Sequence, residues 1–181
     1  FTASLGMWDD FEASDDLRFI KVDCRGHGDS DKPHDVDDYG LEMVEDIARL
    51  LDFLEIDRAH IVGYSMGGRT VLSTVVEAPS AFRSVTLVGA TAGLADPDER
   101  DARIAADEAL ADRIERDGLE AFVDHWMALP IFASQSKLGE AFLSRARAER
   151  LRQRPRGLAN SLRGMGAGAQ APIWDRLDLS L

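Results

Sequence analysis

Gly63-Tyr64-Ser65-Met66-Gly67 spells G-x-S-x-G, with an apolar run, Ala59 to Gly63, before it and a helical pattern, Gly67 to Val76, after it. A serine between a strand and a helix at this glycine spacing sits on a sharp turn that pushes its hydroxyl into the open. The same turn aims the next N–H, that of Met66, at a developing oxyanion near the positive end of the helix. The chemistry is that of a serine acting as nucleophile or base once a neighbouring group takes its proton. Both flanking glycines are expected to be required, because a side chain at either would collide with the adjoining strand or helix. The plain alternative is a turn of small residues that merely packs closely.

A second loop, Asp23-Cys24-Arg25-Gly26-His27-Gly28-Asp29-Ser30, has the form D-x-x-G-H-G-x-S and lies 42 positions before Ser65. His27 has the chemistry of a base, but the loop resembles one found in many α/β-hydrolases, and that resemblance implies a structural role, holding the turn through hydrogen bonds. His34 lies in a polar loop, His60 starts a strand and His125 lies in a helical stretch. None is placed as a triad base, which in a strand–turn–helix serine enzyme follows the serine and an acid in chain order.

The elements that must position these loops follow from periodicity. Leu17 to Asp23 reads as a buried strand ending at the glycine-rich loop. Leu41, Val44, Ile47, Ala48, Leu51 and Leu54 recur at helical spacing to about Glu55. Ala59 to Gly63 and Ser84 to Val88 are short strands on either side of the second helix, which stops before Pro79. Strand, helix, strand, helix, strand at this spacing predicts a parallel sheet with crossover helices, and such sheets place ligands at the carboxyl ends of their strands. After Ala90 the pattern becomes helical throughout, from Pro97 to about Gly164. The expected organisation is a core over residues 1–90, an all-helical lid over 91–175 and a return to the core over 176–181.

Composition narrows the function. The 181 residues suit one domain, and 45% hydrophobic content suffices for a core. Cys24 is the single cysteine, which fits a reducing, cytoplasmic compartment. No apolar run approaches a membrane span. The net charge of −12 disfavours nucleic acid as a partner. The acid is unevenly spread: from Ser134 to Gly164 the local balance is +6, leaving −18 for the remainder. A basic island in an acidic chain suggests an anionic ligand, with a solvated basic helix face as the bland alternative.

With these motifs together, the chain resembles the 2-succinyl-6-hydroxy-2,4-cyclohexadiene-1-carboxylate synthases, pyruvate-eliminating enzymes of menaquinone biosynthesis with the α/β-hydrolase fold. The resemblance rests on Gly63-Tyr64-Ser65-Met66-Gly67-Gly68-Arg69 and on the segment from Asp124 to Ser134. It rests most on Gly157-Leu158-Ala159-Asn160-Ser161-Leu162-Arg163-Gly164-Met165-Gly166, with Gly168, Gln170 and Trp174. It implies that Ser65 is the triad serine, and that the backbone N–H groups of Phe1 and Met66 form the oxyanion hole. It implies that Tyr64 and Arg69 flank the serine, while Arg103, Trp126 and Arg150 hold the carboxylates of a small polycarboxylate substrate. Arg147 and Arg152 lie close enough to leave the choice of Arg150 open. Asn160 and Arg163 belong to the family string without an assigned role. Polycarboxylates want guanidinium partners, which gives the basic island a purpose. For Arg69 a surface position, and for Trp126 plain packing, stand as alternatives.

The implied reaction is a carbon–oxygen lyase step with no metal or organic cofactor, Ser65 acting as base. The resemblance places the triad Asp and His later in chain order, past Leu181. The 181 residues therefore read as most of such an enzyme, short at both ends, and by themselves are expected to be inactive and poorly soluble. The competing readings are an ester or carbon–carbon bond hydrolase with an acyl-serine intermediate, and a non-catalytic binding module on the same fold.

Overall fold

The computed structural model describes residues 1–11 and 14–178. In chain order the main elements are α1 (Leu41–Phe53), β1 (Ala59–Tyr64), α2 (Met66–Glu77), β2 (Phe82–Val88), α3 (Pro97–Asp117), α4 (Leu119–Met127), α5 (Glu140–Leu151) and α6 (Pro155–Met165). Short 3-10 turns fill several connections, the longest over Pro130–Leu138.

β1 and β2 pair in parallel, with His60 opposite Ser84 and Tyr64 opposite Val88. α2 is the crossover between them, as the strand–helix–strand spacing predicts. One face of the pair is covered. Ile61 and Val85 join Leu51 of α1, Val71 and Val75 of α2, and Phe82 in one apolar cluster. Residues of opposite parity in β1, His60, Val62 and Tyr64, are exposed, as the two-residue repeat of a strand requires. The Thr74 hydroxyl lies 3.1 Å from the Val44 carbonyl and 2.9 Å from that of Thr70, tying α2 to α1 at the packing seam.

The strand expected over Leu17–Asp23 is not formed. Among the described residues this stretch has no ladder partner, and Leu17, Phe19 and Val22 are exposed. An apolar, β-branched sequence becomes a strand only where a neighbour accepts its backbone bonds. The other expected elements form within a few residues of their predicted bounds.

The helical segment begins and ends at one place. Ile173 N–H donates to the Ala92 carbonyl at 2.8 Å, and Trp174 Nε1 donates to the Gly93 carbonyl at 3.0 Å. Asp96 caps α3 by accepting from the N–H groups of Asp98 and Glu99, and Pro97 sits at the first helical position, which needs no donor. Gly118, at φ +83°, breaks the chain into α4. α3, α4 and α6 then share a core of Ala111, Ile114, Phe122, Val123, Leu158, Ala159 and Leu162. Of the expected return to the core, residues 179–181 lie outside the described residues.

α6 also fastens the helical segment to the sheet side. Asn160 Nδ2 donates to the carbonyls of Pro33 (3.3 Å) and His34 (3.1 Å). Gly157 meets Gly26 backbone to backbone, where an added Cβ would stand 2.3 Å from the Gly26 oxygen. Arg163 bonds Glu108, Asp112 and Glu115 of α3 at 2.8, 2.9 and 3.0 Å. The string from Gly157 to Gly166 is therefore a packing seam, and Asn160 and Arg163 belong to it.

Candidate active site

Ser65 joins β1 to α2 with φ +52° and ψ −117°, a conformation a non-glycine residue adopts only when its surroundings impose it. Its N–H donates to the Val88 carbonyl at 2.8 Å, and its own carbonyl accepts from Arg69 N–H at 3.0 Å. The turn is thus pinned to β2 on one side and to the first turn of α2 on the other. Ser65 is half-buried, and its hydroxyl has no protein hydrogen-bond partner among the described residues. Met66 opens α2, so its N–H has no acceptor within the helix. Its side chain is buried and its sulfur accepts from the Ser161 hydroxyl of α6 at 3.4 Å.

The glycine requirement differs from the motif. An added Cβ on Gly63 would lie 2.6 Å from Gly68 Cα, and one on Gly68 would lie 2.7 Å from Ala90 Cβ. Gly67, the motif's second glycine, faces open space. The close approach is made by Gly63 and Gly68, because Gly68 lies where the first turn of α2 comes back against the strand.

The loop after Asp23 is held from inside. Asp23 accepts from Leu5 N–H (2.6 Å) and Asp29 N–H (3.0 Å), and its carbonyl accepts from the Ser30 hydroxyl (2.6 Å). His27 is buried, with Nδ1 3.2 Å from the Arg25 carbonyl, and burial pushes its imidazole down to about 3. Such a ring stays neutral and bridges the turn. His34 lies against Arg156, and His60 against Ser84. Among the described residues no histidine bonds Ser65.

Phe1 packs edge-on against Trp126 (centroids 5.2 Å apart), Phe122 (6.2 Å) and His27 (6.0 Å), joining the oxyanion candidate to the helical segment. Thr2 beside it is buried at φ +64°, with its hydroxyl unpartnered. A β-branched residue in that conformation is a true outlier, and no sequence pattern announced it.

The expected carboxylate ligands fall into two groups. Arg150 bonds the Ala146 carbonyl at 2.8 Å, lies over the Phe132 ring at 5.9 Å, and leaves its Nε buried without a partner. Burial lowers its pKa, and the nearby Tyr64 opposes that shift. Trp126 stacks between Phe122 and Phe132, and its Nε1 is likewise buried and unpartnered. In the second group, Arg69 donates to Gln170 Oε1 at 3.1 Å. Burial, and then the charge of Arg103, push Arg69 down to about 10. Arg103 is paired with Asp107 at 2.9 Å, and the second Asp107 oxygen is buried without a partner. Asp107 meets Arg103 at the i+4 spacing of one helix, which the sequence makes legible, whereas Gln170 reaches Arg69 only in the folded chain.

Three of the eight basic residues in the island are tied into the helices by ion pairs. Arg147 pairs with Glu120 and Asp124, Arg152 with Glu149, and Arg163 with three carboxylates of α3. Arg150 has no such carboxylate partner among the described residues. The bland reading therefore holds for these three arginines, and what sets Arg150 apart from the rest of the island is its buried, unpartnered Nε. No group of three or more His, Cys, Asp or Glu side chains among the described residues could hold a metal. Two cavities form away from Ser65, one between the Leu5 turn, Asp23 and Gln153, the other between α1 and α2.

A parallel strand pair crossed by a helix, with a strained serine at the strand-to-helix turn, defines an α/β-hydrolase core. The sequence profile of the alpha/beta hydrolase fold matches residues 1–166, and the chain belongs to that family. Within it, the chain is similar to a Bacillus subtilis protein that carries the provisional name 2-succinyl-6-hydroxy-2,4-cyclohexadiene-1-carboxylate synthase. The two are 43% identical over 180 residues, covering 98% of this chain and 66% of that protein. A Serratia proteamaculans protein named as the same synthase is 32% identical over 133 residues, covering 72% of this chain and 51% of its own length. The solved structure of MenH from S. aureus superposes with a TM-score of 0.92 at 27% identity, over 98% of this chain and 67% of that one. The chain thus spans about half to two thirds of the length of these three relatives.

Proposed function

We propose that the complete enzyme eliminates pyruvate from 2-succinyl-5-enolpyruvyl-6-hydroxy-3-cyclohexene-1-carboxylate in menaquinone biosynthesis. The observation that carries this reading is the pair of buried, unpartnered donors, Arg150 Nε and Trp126 Nε1, which flank Phe132. A buried donor without an acceptor costs about 1–3 kcal/mol, more when charged. A site that retains two such donors is built for an acceptor that arrives, and a carboxylate satisfies both.

In this reading Ser65 is the base. Its proton passes to the triad histidine that the family carries later in the chain. The serine then takes a ring proton, the electron pair shifts through the ring, and the carbon–oxygen bond to the enolpyruvyl group breaks. The Phe1 and Met66 N–H groups stabilise the negative charge that develops. Enolpyruvate leaves and tautomerises to pyruvate, so no acyl-serine forms. Arg69 and Arg103 meet the remaining carboxylates, and Tyr64 lines the approach beside Arg150. Residues 91–175 act as the lid, because both their ends are tied to one point of the core while α4 and α5 carry Trp126 and Arg150.

No helix among the described residues is long and apolar enough to cross a membrane, and we place the enzyme in the cytoplasm with a small polycarboxylate as its ligand. The test is a pyruvate-release assay on the complete gene product and its Ser65→Ala variant. Turnover should vanish in the variant, and normal turnover would refute the serine's role.

A further inference from the structure

Gln170 lies beyond α6, 101 positions from the residue it serves. Its side chain is buried, and both ends of its amide are used. Oε1 accepts from Arg69 Nη1 at 3.1 Å, while Nε2 donates to the Arg69 carbonyl at 3.3 Å and to the Ser73 hydroxyl at 2.8 Å. The amide orientation follows, since the reversed form would set an NH2 group against a guanidinium donor.

Arg69 is largely buried beside Arg103, and it forms no ion pair among the described residues. The carboxylate whose charge reaches it, Asp107, is engaged by Arg103. A buried guanidinium must be hydrogen-bonded, yet a carboxylate in the place of Gln170 would cancel its charge and compete with any incoming anion. A neutral amide fixes one guanidinium nitrogen and leaves the charge available. Gln170 is itself set by its N–H to the Gly166 carbonyl at 3.0 Å, just past α6. Gly168 between them abuts the backbone of Arg100 and Ile104, where an added Cβ would stand 2.8 Å away. Seating the end of the helical segment on α2 and α3 therefore also sets the arginine.

We propose that Gln170 is a positioning residue that holds Arg69 in the geometry needed to receive a substrate carboxylate. The inference rests on the reading of Arg69 as a substrate ligand.

The experiment uses the complete gene product with Gln170→Met, which keeps the volume and removes the hydrogen bonds, Gln170→Glu, Arg69→Ala and the Arg69→Ala/Gln170→Met double variant. KM and kcat for pyruvate release are measured beside turnover of a nitrophenyl acetate, a neutral ester, and the thermal midpoint. Gln170→Met should raise KM about tenfold with kcat little changed, the scale of one lost charge-assisted hydrogen bond. Gln170→Glu should raise KM at least as much, because the new carboxylate occupies the guanidinium. In the Arg69→Ala background Gln170→Met should add nothing, and the ester should be spared throughout. Additive losses, or equal losses on the ester, would show that Gln170 only supports the fold. An Arg69→Ala variant with unchanged KM would instead refute the role of Arg69, and the proposal with it.

Discussion

Gly63 and Gly68 face each other across the serine turn so closely that a Cβ on Gly63 would stand 2.6 Å from Gly68 Cα. Gly67, which completes the G-x-S-x-G motif, touches nothing within 4 Å on that side. Gly63→Ala and Gly68→Ala should each destabilise by about 1–3 kcal/mol, the cost of overpacking a filled site. Gly67→Ala should be neutral or stabilising by up to about 1 kcal/mol, since alanine suits a helix better. Thermal unfolding of the three variants decides this, and equal destabilisation by all three would contradict the geometry.

The strain at Ser65 separates stability from activity. Alanine retains the Cβ that makes φ +52° costly, whereas glycine does not. Ser65→Gly should therefore unfold at a higher temperature than Ser65→Ala, by the equivalent of about 1 kcal/mol, although both lack pyruvate release. A glycine variant no more stable than the alanine variant would mean that the turn is relaxed.

Arg150 and Arg103 should not weigh equally. Arg150 is desolvated with an orphaned Nε, while Arg103 is half-exposed and already paired with Asp107. Arg150→Ala should lower kcat/KM for the polycarboxylate by about 2–4 kcal/mol, the range for truncating a buried charge partner, and Arg103→Ala should cost less. Hydrolysis of a neutral nitrophenyl ester should be nearly unchanged in both. Parallel losses on the two substrates would assign the arginines to the fold.

His27 makes stability fall with acid. Unfolded, its imidazole protonates near pH 6.5; folded, burial holds it neutral to about 3. Between those values the unfolded state binds more protons, so stability declines as pH drops below about 6.5, with a limiting slope of about 1.4 kcal/mol per pH unit. His27→Gln should remove about 1 kcal/mol per unit of that slope between roughly pH 6 and 5, above the main carboxylate range. Denaturant unfolding at several pH values measures it, and an unchanged slope would place a protonated, solvated ring at this site.

What the sequence by itself determined was local. The strand–turn–helix around Ser65, the caps of α3 and the run of helices after Ala90 follow from neighbouring residues, whose dihedral preferences and periodicity are legible along the chain. Contacts between distant segments were decided by the tertiary structure. Leu17 to Asp23 has every local mark of a strand, but pairing needs a partner that no local pattern supplies. The basic residues after Ser134 look alike in sequence. Packing of α5 against α4 and of α6 against α3 gives Arg147 and Arg163 their carboxylates and leaves Arg150 over Phe132 without one among the described residues. Gly67 and Gly68 are adjacent glycines, and only the approach of α2 to β1 shows which one has no room. Gln170 meets Arg69 because the helical segment closes on its own starting point, a geometry carried by hydrogen bonds across about a hundred residues and by none of the residues between them alone.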